Sequence, residues 1–184
     1  LTMSEKFQHT LAYHCAPALL GIKASNLINL NLGKYNTLFT DLKELNTKYK
    51  RHFNYSIIKK SNSSILIMVY KPLKLKKYLF DKNNYNYLLQ NGYPKMKSLK
   101  RYINCLKNRI NVCKEFPHEI GIFLGYDLND VIDFTEGIKP CLFNGVWKVF
   151  SNCEEKKKLF IRYSECRNLV IKHLENGKNL KNIL

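Results

Sequence analysis

Two pairs of chemically versatile residues stand out in this chain, His118-Glu119 and His14-Cys15. The first lies in Phe116-Pro117-His118-Glu119-Ile120-Gly121-Ile122-Phe123-Leu124-Gly125-Tyr126, an otherwise apolar block bounded by Pro and Gly. Pro117 suits the first position of a helix, where its fixed φ helps and its missing N–H is not needed. Gly125 can take the left-handed conformation that closes one. His118 and Glu119 would then occupy a first helical turn, where the helix dipole opposes protonation of an imidazole and favours an ionised carboxylate. A neutral imidazole beside a carboxylate can serve as a ligand or as a base.

His14 and Cys15 precede Pro17, which disfavours helix at Ala16, so both are expected at the end of a first helix. If the two helix ends meet, a thiol, two imidazoles and a carboxylate converge. Such a mixed N, S and O set suits iron or zinc, as Fe(II) or Zn(II). Alternatively, His118 could activate Cys15 as a nucleophile. The same residues also read as ordinary helix ends, with His14 on free carbonyls, Cys15 in the core and Glu119 near a helix start.

Two further residues complete the candidate site as outer members. Lys148, in Gly145-Val146-Trp147-Lys148-Val149-Phe150, shares a strand face with Val146 and Phe150 under a period of two. A lysine between apolar neighbours either snorkels to an edge or reaches a buried acid or an anionic ligand. Tyr126, following Gly125, either presents its hydroxyl to a cleft or packs half-buried. The expected ligand is a small molecule or a metal ion. No Gly-x-Gly-x-x-Gly after a strand, Walker motif, Ser nucleophile elbow or His-Glu-x-x-His is present.

Composition frames a second reading. The 184 residues carry a net charge of +17, and residues 51–114 hold 15 Lys/Arg against one acid, Asp81. Such a stretch attracts phosphates, so a nucleic-acid-binding module using the 51–114 face is the first alternative. Only 5 of the basic residues in the chain are Arg, the side chain suited to bidentate phosphate and base contacts. The binding expected is therefore weak and indifferent to sequence. A scaffold or regulator acting by protein contacts alone is the second alternative. Six dispersed cysteines without a Cys-x-x-Cys pair read as free thiols of a reducing compartment. No apolar run approaches the roughly 18 residues that a membrane span needs. Phe7-Gln8-His9-Thr10-Leu11 does not read as a secretory leader, so the expectation is a cytoplasmic protein.

The elements that must position these residues form a single domain over 1–184, of the α+β class. Strands are expected near 26–30, 54–59, 64–70 and 145–150, in one small sheet with a central hairpin. The 64–70 strand is apolar on both faces and should be its centre. About seven helices should cover it. The first is capped by Ser4. Others span about 35–49, 72–81, 83–91 and 96–114, the last with Lys100, Lys107 and Lys114 on one side. The Pro117 helix follows, then one opened by Asp127 with Asp130 in a capping-box position. A long final helix is capped by Asn152.

His14-Cys15-Ala16-Pro17 through Gly21-Ile22-Lys23, Asn26-Leu27, Val69-Tyr70-Lys71-Pro72, Phe116 to Tyr126 and Gly145 to Phe150 occur in order along the chain. Together they resemble an uncharacterised domain-of-unknown-function family of anaerobic Gram-positive bacteria. The sequence departs from that pattern at Ala24 and Asp127, where the family tends to have Pro, and at Val146 and Phe150, more often Tyr. The resemblance implies no established activity, only a lean toward iron or redox physiology.

Overall fold

Residues 64–70 place Ile65, Ile67 and Val69 on one side and Leu66, Met68 and Tyr70 on the other. A strand apolar on both faces has to be covered twice. In the computed structural model, which describes residues 3–113 and 115–184, it is the middle strand of a three-stranded antiparallel sheet. Lys114 lies outside the described residues. The chain runs α1 (Glu5–Leu19), β1 (Ser25–Asn31), α2 (Leu38–Tyr49), β2 (Asn54–Lys60) and β3 (Ser64–Tyr70). It continues with α3 (Pro72–Leu79), α4 (Lys82–Gln90), α5 (Leu99–Val112) and α6 (Ile120–Phe123). After α7 (Leu128–Glu136) come β4 (Phe143–Asn144), β5 (Lys148–Val149) and α8 (Cys153–Glu175). Short 3₁₀ turns occupy Leu32–Lys34 and Leu180–Asn182.

The sheet order is β1-β3-β2, with Ile67 facing Ile28 on one side and Ile57 on the other. The two faces of β3 seed two separate cores. Ile65, Ile67 and Val69 pack with Phe7, Leu11 and Cys15 of α1, with Leu38, Leu42 and Leu45 of α2, and with Cys166 and Val170 of α8. Met68 and Tyr70 pack with Leu75 and Leu79 of α3, Tyr102 and Leu106 of α5, and Ile122 and Phe123 of α6. A smaller cluster of Trp147, Val149 and Tyr163 lies outside both. Among the described residues no helix is long and apolar enough to cross a membrane.

Four local expectations are corrected. First, α1 does not stop at Ala16 but runs to Leu19 with Pro17 inside it. Pro17 falls in the final turn, so it removes only the bond to the Tyr13 carbonyl on the exposed side. The turn then closes through Gly21 (φ +74°), and the Ile22 amide returns to the Pro17 carbonyl at 2.9 Å. His14 and Cys15 are therefore inside the helix, on different sides of it: His14 is exposed and Cys15 fully buried.

Second, the helix expected from Pro117 begins only at Ile120. Residues 117–122 wind with i→i+3 bonds, from Ile120 to Pro117, Gly121 to His118 and Ile122 to Glu119. The Glu119 carboxylate meets Arg109 of α5 and accepts a hydrogen bond from Tyr93 at 3.3 Å, which pins this tight turn against the core. Four residues of helix do not provide the dipole expected at His118 and Glu119.

Third, residues 145–150 do not join the main sheet; β4 and β5 form a hairpin of their own. Asp130 accepts from the Phe150 amide at 2.8 Å and the Trp147 indole at 2.7 Å, which ties this segment to α7 instead. Fourth, the expected caps differ. Ser4 Oγ donates to Asp41 rather than capping α1, Asn152 makes no side-chain cap, and Asp130 is not part of a capping box. Asp127 does cap α7, accepting from the Asn129 amide at 2.9 Å.

Because Ile67 is fully buried, flanked by both partner strands and packed in the core with α1, α2 and α8, Ile67→Ala should cost about 2–5 kcal/mol of stability, read by chemical denaturation. A change near zero would contradict the central position of β3.

Candidate functional site

Only part of the candidate set comes together. Cys15 belongs to the core on the Ile67 face of the sheet, whereas Ile120, next to Glu119, packs into the core on the Met68 face. Burial pushes the Cys15 thiol up to about 12, opposite to what a thiolate nucleophile needs. His14 packs edge-on against Tyr13 at 5.0 Å, and partial burial and the nearby Arg167 charge hold it below the usual imidazole value. Glu119 is buried and paired with Arg109. Among the described residues no three His, Cys, Asp or Glu side chains gather so as to hold a metal ion. The convergence of His14 and Cys15 with His118 and Glu119, whether for iron or zinc or for a Cys–His pair, is thus not what the fold builds. The reason is topological: the two segments serve different cores on opposite faces of one sheet.

His118, Tyr126 and Lys148 do share a wall. They line a cleft of about 500 Å³ between residues 115–121, α7 and the β4–β5 hairpin. Its walls are largely apolar, made by Phe116, Ile120, Val131, Phe134, Val146 and Trp147. Phe134 is central to its polar edge. The His118 ring meets it edge-on at 5.2 Å, and the Lys148 ammonium lies 5.3 Å from its centroid. Lys148 forms no ion pair among the described residues, so its charge is open to a ligand. Gly121 keeps the floor low, since a Cβ there would sit 2.7 Å from a Val131 methyl.

The back wall is aromatic. Trp147 stacks on Tyr126 with centroids 4.6 Å apart and planes 22° apart, and Phe160 meets it edge-on at 4.6 Å. Burial raises the Tyr126 phenol above its usual value. The indole N–H is fixed by Asp130, which also pairs with the buried Lys156 at 2.7 Å. Sequence reading missed Asp130, Lys156 and Phe134. Asp130 looked like a helix-start residue, and its partners at 147, 150 and 156 lie too far along the chain for any local pattern to reveal. The pairing of alternate positions Val146 and Lys148 was the usable signal, and both do face the cleft.

The 51–114 stretch offers little beyond charge. Tyr70, Tyr93 and Tyr102 are buried, which withholds them from stacking on bases, and Tyr78, Tyr85 and Tyr87 are half-buried.

A family model described as "Protein of unknown function (DUF3793)" matches residues 11–184. The chain belongs to this family. No curated protein and no solved structure gives a significant match to it. Family membership supplies no activity, so function has to be argued from the cleft of this DUF3793 chain.

Asp130→Asn removes the nearer of the two carboxylates on the buried Lys156 and leaves it only Asp127, at 3.6 Å. Because Asp127 still faces Lys156, it should lower stability by less than the about 3–5 kcal/mol of a fully uncompensated buried charge, and it should shift the Trp147 emission spectrum, both read in one denaturation series. An unchanged spectrum would mean that Asp130 does not hold the indole.

Proposed function

We propose that this domain binds a small organic acid with an apolar body in the cleft between α7 and the β4–β5 hairpin. The observation that carries this reading is the convergence of His118 and Lys148, which has no ion-pair partner among the described residues, on Phe134 at the edge of a largely apolar cavity. Ligand sites commonly combine apolar walls with a few convergent polar groups. The volume of about 500 Å³ suits a molecule of metabolite size. Its carboxylate would meet the Lys148 ammonium and the His118 ring, and its body would lie on Phe134, Val131 and the Trp147–Tyr126 stack. Nothing in this arrangement calls for bond making, so the reading is one of binding.

A second reading has its own observation. Phe116, Phe134 and Val146 are all exposed beside the cleft, with Ile138 and Leu142 exposed a few residues away. An apolar rim of this kind also suits contact with another protein. The two readings part on whether a small ligand competes for the same surface.

Trp147 is the only tryptophan and lines the cleft, so its fluorescence is a built-in reporter. Titration with medium-chain and phenyl-substituted carboxylates should change its emission saturably. Lys148→Ala should weaken that binding about 10- to 100-fold, the loss of one charge-assisted contact. Phe134→Ala should weaken the acid and its uncharged amide alike. Equal affinity for acid and amide in the unmodified protein would overturn the assignment of an acid. The absence of any saturable change across the series would overturn the cleft as a small-molecule site.

A further inference from the structure

A second cleft, of about 360 Å³, lies behind the Trp147 wall and is lined by Lys23, Lys74, Tyr78, Lys156 and Tyr163 among others. Lys23 is its unusual member. The closing turn of α1 brings the Ile22 and Lys23 amides back to the Pro17 carbonyl and sends the Lys23 side chain inward, where it is 4% exposed. Among the described residues it has neither a carboxylate partner nor a hydrogen-bond acceptor. Its ammonium instead lies 5.2 Å from the Tyr126 centroid and 6.0 Å from that of Tyr163.

Two of the acids nearby are engaged elsewhere, and the third, the exposed Glu155, forms no ion pair with Lys23. Asp127 caps α7 and lies 3.6 Å from Lys156, and Asp130 pairs with Lys156 at 2.7 Å. The titratable and charged groups around Lys23 are Cys15 on α1, Lys74 and Tyr78 on α3, and Tyr126 and Asp127 ahead of α7. Glu155, Lys156 and Tyr163 of α8 complete them. An unpaired, buried lysine is costly to keep as a purely structural group, and it opens on a cavity.

We propose that Lys23 is a reactive amine that forms an imine with a small aldehyde or ketone carrying an anionic group. The neutral Nζ attacks the carbonyl carbon, and the carbonyl oxygen takes up a proton to give the carbinolamine. That adduct expels one water as the C=N bond forms, so no electrons are gained or lost. Lys74, exposed at the same cleft and without an ion-pair partner among the described residues, meets the anionic group. The Tyr126 and Tyr163 rings flank the new bond. Burial supports this chemistry by lowering Lys23 to about 8. Roughly a tenth of it is then neutral at pH 7, against less than about one part in a thousand for an ordinary lysine. Buried lysines near other cations are a recognised source of nucleophilic amines. This inference does not depend on the acid-binding cleft, because Lys23 and Lys74, which carry it, do not line that cleft.

The test uses the full chain with one equivalent of glyoxylate, an aldehyde bearing a carboxylate, and sodium cyanoborohydride as hydride source at pH 7.5. Peptide mapping then locates the carboxymethyl label. Lys23 should be labelled about ten-fold faster than the mean of the other lysines. Lys74→Ala should slow Lys23 labelling by glyoxylate while leaving labelling by uncharged propionaldehyde unchanged. In Lys23→Arg protein the remaining label should be spread over surface lysines. Lys23 labelled no faster than surface lysines in the unmodified protein overturns the proposal, and that result needs no variant to fold. Equal slowing of both aldehydes in Lys74→Ala overturns the role of the anionic group.

Discussion

Asp130 accepts hydrogen bonds from the Trp147 indole and the Phe150 amide while it pairs with Lys156, and it does so while almost entirely buried. Three separate parts of the chain, α7, the β4–β5 hairpin and the start of α8, are joined at one carboxylate. The hairpin itself has two residues per strand and little ladder of its own to hold it. Without that carboxylate the indole would lose its fixed orientation, and with it the back wall of the cleft. Buried ion pairs add little net stability, because desolvation offsets the attraction, but they specify which groups must meet. Here the specification decides where Trp147 points.

A second, half-buried pair plays the matching part on the other side of the cleft. Glu119, held by Arg109 and Tyr93, fixes the turn that precedes α6 against α5. That turn carries His118 outward to the rim while its neighbour is drawn inward. Adjacent residues thus have opposite fates: one anchors the backbone and the other is left available. Gly125 (φ +75°) then lets the chain pass close to Ala24, where a Cβ would approach to 3.0 Å. Ser25 closes the same junction by donating to the Phe123 carbonyl at 2.7 Å.

How much of this was readable in the sequence follows from the range of the interactions concerned. The two-faced apolar pattern of Ser64–Tyr70 announced a central strand, and the Leu99–Ile110 stripe announced α5, because both depend on neighbours a few residues apart. Pro17 misled because a proline in the last turn of a helix gives up a single bond, and only the closing geometry at Gly21 shows that. Adjacency in the sequence makes His118 and Glu119 look like one chemical pair, yet Arg109 and Tyr93 claim the second and leave the first. His14 and Cys15 look like a pair for the same reason, and helical periodicity splits them between solvent and core. Lys148 and Tyr126, marginal in the sequence, became part of the cleft because their surroundings come from α7 and the 115–121 turn.

The Trp147–Tyr126 stack forms a partition with a cavity on each side: Trp147 lines both, and Tyr126 faces one while its ring also meets Lys23. A close-packed ring pair cannot yield space to one chamber without taking it from the other. Any two molecules that displace this partition therefore sense each other, with no relay through the rest of the fold. Such linkage is reciprocal: the factor by which the first alters the affinity of the second equals the factor by which the second alters that of the first. Ligands that each moved this thin aromatic wall would be coupled through it alone.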